Sequence, residues 1–168
     1  MMAACQEMGM DSVALTDNGV MYGVVDFYSV AKSHGIRPII GCEIYLVPDM
    51  LKKERGWDRL ILLAQNKQGY QNLVKLVSLS HLEGFYYKPR IDLDHLSKFT
   101  EGIIVISPGY NGPVAYRCRS NRMAEGKQYA QNLKQIYGTQ LYLGVQRMEL
   151  TYEDILLEDM GALGQELE

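Results

Sequence analysis

The sequence of 168 residues has few cysteines and few histidines, and it has no long hydrophobic run. Its three cysteines lack C-x-x-C spacing, which argues against a zinc knuckle or a disulfide framework and favours reduced thiols. No apolar run approaches the roughly 18 residues that a membrane span needs, and no signal-peptide pattern opens the chain. We therefore predict a cytoplasmic protein without a membrane partner.

The chain also has no excess of positive charge. It carries 17 lysines and arginines against 20 aspartates and glutamates, for a net charge of -3. This balance argues against a strongly basic nucleic-acid footprint. The length and the 47% hydrophobic content are those of one globular unit. We expect a single domain over residues 1–168.

Short apolar runs alternate with amphipathic segments along the chain. Residues 13–47 have the pattern of a strand, a polar turn, a helix, a glycine turn and a second strand. Continuous apolar runs at 59–64 and 102–107 are typical of buried parallel strands. The segments 71–82, 114–119 and 123–137 have helical patterns, and Asp92 is a candidate cap for a short helix through Lys98. Without an evident hairpin signal, this alternation predicts an α/β fold with a mostly parallel sheet.

Two acidic residues lie where strand–helix–strand units usually carry catalytic or ligand-binding side chains. Asp17 follows the first strand, and Glu43 lies inside the second. Asp17 has two interpretations, a metal ligand or a turn residue that caps a helix. Glu43 interrupts an apolar run, so its carboxylate must face a polar environment.

Six motifs occur in a specific order along the chain. They are Thr-Asp-Asn-Gly (16–19), Gly-Ile-Arg-Pro-Ile-Ile-Gly-Cys-Glu (35–43), Leu-Ile-Leu-Leu-Ala (60–64), Gly-Tyr-Gln-Asn-Leu (69–73), Glu-Gly-Phe-Tyr-Tyr-Lys-Pro-Arg-Ile-Asp (83–92) and Glu-Gly-Ile-Ile-Val-Ile-Ser (101–107). In this order the sequence resembles the PHP (polymerase and histidinol phosphatase) domain at the N-terminus of bacterial DNA polymerase III alpha subunits.

The resemblance implies a distorted barrel with helices around it and a cluster of metal ions at the C-terminal ends of the strands. Such clusters hydrolyse phosphoesters with water activated between zinc or manganese ions. A His-x-His motif would precede Met1, and a last strand would follow Glu168. We therefore expect an incomplete, distorted (β/α)7-type barrel, a PHP domain truncated at both ends.

Four positions depart from the ligand pattern that the resemblance implies. In place of three histidines and a cysteine, the chain has Asn18, Arg59, Gly109 and Met148. The guanidinium of Arg59 is always charged and cannot bind a cation. We hypothesise that Arg59 pairs with Asp17 or Glu43 in place of a metal.

Only Asp17 and Glu43 remain of the implied ligand set. Two carboxylates without imidazoles would bind magnesium or manganese weakly and would not hold a tight cluster. We expect no cofactor in this fragment and no catalytic residue, with zinc, manganese or magnesium bound only if the site functions in the full protein.

The resemblance thus predicts a fragment of a DNA-directed DNA polymerase that is inactive alone. It would support the remaining polymerase domains and bind a proofreading exonuclease subunit. DNA would be contacted by the full-length polymerase, the parent protein of this fragment. The alternative is a free-standing metal-dependent phosphoesterase or 3'–5' exonuclease. Lys88 and Arg90 lie in an aromatic, basic loop that could contact DNA or a neighbouring domain, and a solvated loop is the alternative for this segment.

Overall fold

The structure, a computed structural model, describes residues 1–147 and 153–167. In this part of the chain, strands and helices mostly alternate, as the sequence predicted, but two pairs of consecutive strands have no helix between them. The strands are β1 (Ser12–Leu15), β2 (Arg37–Leu46), β3 (Asp58–Ala64), β4 (Phe85–Tyr86), β5 (Lys88–Ile91), β6 (Ile103–Ser107) and β7 (Leu141–Leu143). The α-helices are α1 (Met2–Glu7), α2 (Val24–Ser33), α3 (Lys67–Leu82), α4 (Leu93–Leu96), α5 (Pro113–Arg119), α6 (Met123–Tyr137) and α7 (Glu153–Glu166).

The sheet is mixed, which corrects the expectation of mostly parallel strands. Its order is β4-β5-β2-β3-β6-β7, and β1 pairs with β2 beside this path. Three of the six pairings between described strands are antiparallel: β2 with β3, β3 with β6, and β4 with β5. The segment 47–57 between β2 and β3 contains no helix, and without a helical crossover the chain returns antiparallel. The described strands form an open sheet.

Strands β4 and β5 form a hairpin in the segment whose sequence predicts a loop. Phe85 pairs with Pro89, and Tyr86 pairs with Lys88. Tyr87 makes the turn with a φ of 59°, a left-handed conformation that glycine and asparagine adopt most easily. Because a tyrosine occupies this position, the usual hairpin signal is missing from the sequence.

Side-chain caps decide where two helices begin. Asn66 accepts a hydrogen bond from the Gly69 amide, so α3 begins four residues before the predicted start at 71. Asp92 caps α4 through the amide of His95, as predicted.

The hydrophobic core lies on one face of the sheet, beneath α3 and α6. Its main members from strands and helices are Cys42, Ile44, Leu60, Leu62, Leu73, Leu76, Ile103, Val105 and Leu133. The register pairs Glu43 with Ile61 and Tyr45 with Arg59, so these residues share the opposite face. Alternation along β2 therefore separates the core from the polar positions near its C-terminal end. Among the described helices, none is long and apolar enough to cross a membrane.

Candidate functional site

The loop after β1 is joined to β2 by backbone hydrogen bonds. The Glu43 amide donates to the Asp17 carbonyl oxygen at 3.0 Å, and the Gly19 amide donates to the Glu43 carbonyl oxygen at 2.7 Å. Asn18 and Glu43 thereby form an isolated parallel bridge. The parallel alignment of β1 and β2 thus brings together the two acidic residues that are 26 positions apart in the sequence.

Gly19 allows this loop to approach its neighbours closely. Its φ is 69°, and a Cβ at this position would lie 2.7 Å from Pro89 Cγ and 3.0 Å from Tyr45 Cε2. A larger residue would therefore need both an unfavourable backbone and displaced neighbours. The loop is fixed between β2 and the β4–β5 hairpin.

Asp17 lies beside the start of α2. Its Oδ2 atom would be 3.5 Å from a Cβ built on Gly23, the N-cap residue of that helix. None of the described side chains makes a capping hydrogen bond there, so the cap proper is not observed. A carboxylate near a helix N-terminus is electrostatically favourable, which suits the interpretation of Asp17 as a turn residue.

Glu43 forms an ion pair with Arg59. The distance between Arg59 Nη1 and Glu43 Oε1 is 3.0 Å, and the two side chains are 44% and 18% exposed. Of the two partners that the hypothesis allowed Arg59, the structure shows Glu43. The guanidinium therefore lies where a metal ion would have to approach the carboxylate of Glu43, the only glutamate of the predicted site.

Cys42 lies beneath the two acidic residues. Its thiol is fully buried and donates to the Asp17 carbonyl oxygen at 3.3 Å. Burial raises the pKa of Cys42 to about 12, and the charges of Asp17 and Glu43 act in the same direction. The sulfur is therefore a neutral, packed thiol, whereas a metal ligand would be a thiolate.

The substituted positions that the structure describes bring no further ligand to the site. Asn18 is exposed at the bridge with Glu43. Gly109 is packed so closely that a Cβ there would lie 2.8 Å from both the amide nitrogen and the Cβ of Gln146. A cysteine at Gly109 would require the backbone to move. Met148 lies outside the described residues.

Comparison with known proteins identifies the family. A model of the PHP domain matches residues 1–148. The chain belongs to the PHP domain family.

Several relatives of this PHP domain are named DNA polymerase III subunit alpha. The protein from Borreliella burgdorferi is 40% identical over 168 residues, which cover 96% of this chain and 15% of the relative. The protein from Helicobacter pylori strain J99 is 38% identical and covers 92% of this chain and 12% of the relative. The protein from Chlamydia pneumoniae is 50% identical over 61% of this chain and 9% of the relative. The chain therefore spans less than a sixth of the length of these relatives.

PHP domains are generally metal-dependent, but the residues described here do not fit a metal cluster. Among them, no group of three or more histidine, cysteine, aspartate or glutamate side chains could hold an ion. Asp17 and Glu43 are the two carboxylates of the predicted set, and Glu43 is already paired with a fixed positive charge. A tight zinc site needs about four ligands, and this donor set does not supply them.

The structure corrects the interpretation of Arg90 as an interaction residue. Its side chain is only 2% exposed. It donates to the carbonyl oxygens of Gly84, Met50, Lys52 and Glu54 at 2.9–3.0 Å. Arg90 thus fixes the segment after β2 to the hairpin and cannot reach a partner.

Lys88 stays near the surface of the PHP domain. Its Nζ atom lies 5.4 Å from the centroid of the Tyr45 ring. It therefore remains a candidate for an interaction.

His81 is a neighbour of the site, although no pattern in the sequence predicts this contact. Its Nε2 atom donates to the Gly19 carbonyl oxygen at 2.8 Å, across 62 residues of sequence. The other two histidines bond near their own helix ends, His34 with Val30 and His95 with Asp92. No sequence signal links His81 with Gly19, because only the packing of α3 against the loop brings them together.

Proposed function

We propose that this chain is the PHP-domain part of a bacterial DNA polymerase III alpha subunit and acts as a structural and docking module. The names of its relatives support this proposal, as does the small share of their length that it covers. Polymerisation would then belong to other domains of that subunit. Such a replicative protein would act in the cytoplasm.

The proposal also interprets the fold. The open, mixed sheet would be part of a distorted (β/α)7-type barrel, and residues 1–168 would be one partial domain. Asp17 and Glu43 would be remnants of the metal site of that barrel.

The ion pair between Arg59 and Glu43 is the observation that carries the structural role. A partly exposed pair of this kind contributes only about 0–1 kcal/mol to stability, so its strength alone would not exclude a metal ion. Its charge has the larger effect, because a permanently charged guanidinium 3.0 Å from the carboxylate would repel a cation. A cation at Glu43 would also lack imidazole ligands.

Exposed apolar side chains support a protein-docking role. Tyr22 and Val25 near the start of α2, and Leu82 at the end of α3, are 85%, 72% and 82% exposed. Tyr22 and Leu82 line one groove, Val25 lines a second, and Tyr70 borders both, so these groups lie in one region of the surface. Apolar groups concentrated in this way are typical of protein contacts. The proposed partners are the remaining polymerase domains and a proofreading exonuclease subunit, with DNA contacted through the parent protein.

Metal titration tests the absence of a working site. We expect isothermal calorimetry with Zn²⁺ or Mn²⁺ to show no tight binding, and bis-p-nitrophenyl phosphate to remain uncleaved. Arg59→His should give no gain in zinc affinity, since a single imidazole does not complete the ligand set. Tight metal binding, with hydrolysis that Glu43→Gln abolishes, would instead establish the phosphoesterase or exonuclease alternative, which the ion pair disfavours.

Docking is tested separately with a purified proofreading exonuclease subunit. Size-exclusion chromatography should show a complex with the folded chain, and Val25→Asp and Leu82→Asp should weaken it. Lys98→Asp, on the exposed surface of another segment, is the matched control. A folded chain that never co-elutes would refute docking without affecting the metal result.

A further inference from the structure

Aromatic rings and cations alternate on the surface next to the predicted site. The rings of Tyr45 and Trp57 meet edge to face, with centroids 5.6 Å apart. The guanidinium carbon of Arg55 lies 4.9 Å from the centroid of the Tyr87 ring, and its Nη2 donates to the Tyr87 hydroxyl at 3.1 Å. The aromatic–basic surface, as we call it, consists of Arg55, Trp57, Arg59, Tyr87 and Lys88.

The rings of this surface are accessible and mechanically supported. Tyr87 is 62% exposed and Trp57 is 38% exposed, whereas Tyr45 beneath Trp57 is buried. Tyr87 holds its left-handed backbone at the hairpin turn, and its ring contacts that of Tyr86 at 4.7 Å. An unusual backbone conformation that the surrounding structure maintains is a recurrent property of binding sites.

Two carboxylates next to this surface already have cationic partners. Glu43 pairs with Arg59, and Asp58 accepts hydrogen bonds from Arg117 at 3.1 and 3.3 Å. Glu54 lies beside Arg55 in the exposed segment 51–57 and is the main opposing charge. The local balance is therefore only mildly positive, which predicts a binding mode that depends on ring stacking as much as on charge.

We propose that the aromatic–basic surface binds single-stranded nucleic acid. Bases would stack on Trp57 and Tyr87, while Arg55 and Lys88 would contact the phosphates on either side. Proteins that bind single strands combine aromatic platforms with cationic side chains, and a duplex does not expose the base faces that such platforms need. This proposal does not depend on a metal ion or on the proposed polymerase context.

Trp57 provides a direct readout because it is the only tryptophan of the chain. Titration with an oligo(dT) 15-mer should quench its fluorescence, and a duplex of the same length should quench it much less. With two or three phosphates contacted, the logarithm of the affinity should fall with the logarithm of the salt concentration with a slope of roughly -1 to -2.

Variants test whether binding depends on the stacking rings of this surface or on any exposed aromatic side chain. Anisotropy of a labelled oligo(dT) should show roughly 5- to 150-fold weaker binding for Trp57→Ala and Tyr87→Ala, the range expected for the loss of one stacked base. Tyr28→Ala is the matched control, because Tyr28 is 47% exposed and lies beneath Lys32 on α2. It should leave the affinity unchanged. Trp57→Phe keeps an aromatic platform and should retain most of the binding if Trp57→Ala does not fold.

Three results would overturn the proposal. The first is a folded wild-type chain that shows neither quenching nor an anisotropy change. The second is equal binding of duplex and single strand, or an equal loss of affinity in Tyr28→Ala and Tyr87→Ala. The third is that the Trp57 and Tyr87 variants lose binding to a protein partner but bind oligo(dT) as tightly as the wild type.

Discussion

Replacement of Arg90 should destabilise the domain strongly, although arginine is usually a surface residue. The side chain is 2% exposed, and its guanidinium donates four hydrogen bonds to backbone carbonyl oxygens. The Arg90→Ala variant would leave these acceptors without their donor. It would also remove the contact with the Tyr86 ring, whose centroid lies 5.2 Å from the guanidinium carbon.

The magnitude depends on which carbonyls water can reach. Lys52 and Glu54 are exposed, so water can replace the lost hydrogen bonds there. Met50 and Gly84 are buried, so their carbonyl oxygens would stay unsatisfied. At about 1–3 kcal/mol for each, the free energy of unfolding should fall by about 2–6 kcal/mol. That is a large part of the about 5–15 kcal/mol that a typical domain has.

Urea denaturation followed by circular dichroism measures this loss, and the fluorescence of Trp57 reports on the neighbouring segment. Arg90→Lys keeps the charge but not the planar fork, so its stability should be intermediate. Lys88→Ala, on the same strand, is the control and should change stability by less than about 0.5 kcal/mol. A loss below about 1 kcal/mol in Arg90→Ala, with an unchanged urea dependence, would refute the argument that the carbonyls depend on Arg90.

Three further predictions concern buried groups. Burial alone would raise the pKa of Asp92, but the hydrogen bonds from His95 and Met50 outweigh it and hold this pKa below its ordinary value. Asp92→Asn should therefore lower the free energy of unfolding by about 1 kcal/mol in urea melts at neutral pH. The difference in stability from the wild type should become smaller as the pH falls below about 4, and a difference independent of pH would contradict the pKa shift. Because burial raises the pKa of Cys42 to about 12, iodoacetamide at pH 8 should spare Cys42 in the folded chain and modify it in urea, as mass spectrometry can show. Gly69→Ala would place a Cβ against the Gly102 carbonyl oxygen and should lower the free energy of unfolding by at least about 1–3 kcal/mol. Gly161→Ala has free space and should stabilise α7 by about 0.5–1 kcal/mol. Equal melting temperatures of the two variants would contradict this packing.

Local patterns predicted the elements that have local causes. The apolar runs became β3 and β6, the Asp92 cap begins α4, and the segment 123–137 is helical as expected. Each of these depends on neighbours within a few positions, so the sequence carries the whole signal.

The hairpin and the strand directions were not predictable in this way. The hairpin turn uses Tyr87 where glycine or asparagine is usual, and the surrounding contacts support its conformation. The direction of β3 depends on the loop from 47 to 57, whose residues give no directional signal before the sheet forms.

The sequence by itself determined the family, through the order of its motifs, and it singled out Asp17, Glu43 and Arg59 as candidate site positions. Only the tertiary structure decided their relations. Parallel pairing of β1 with β2 joins Asp17 to Glu43, and antiparallel pairing of β2 with β3 places Arg59 within 3.0 Å of Glu43. The tertiary structure also buries Arg90 and leaves Trp57 and Tyr87 accessible to solvent. The physical reason is that burial and ion pairing depend on strand register, which distant segments set together.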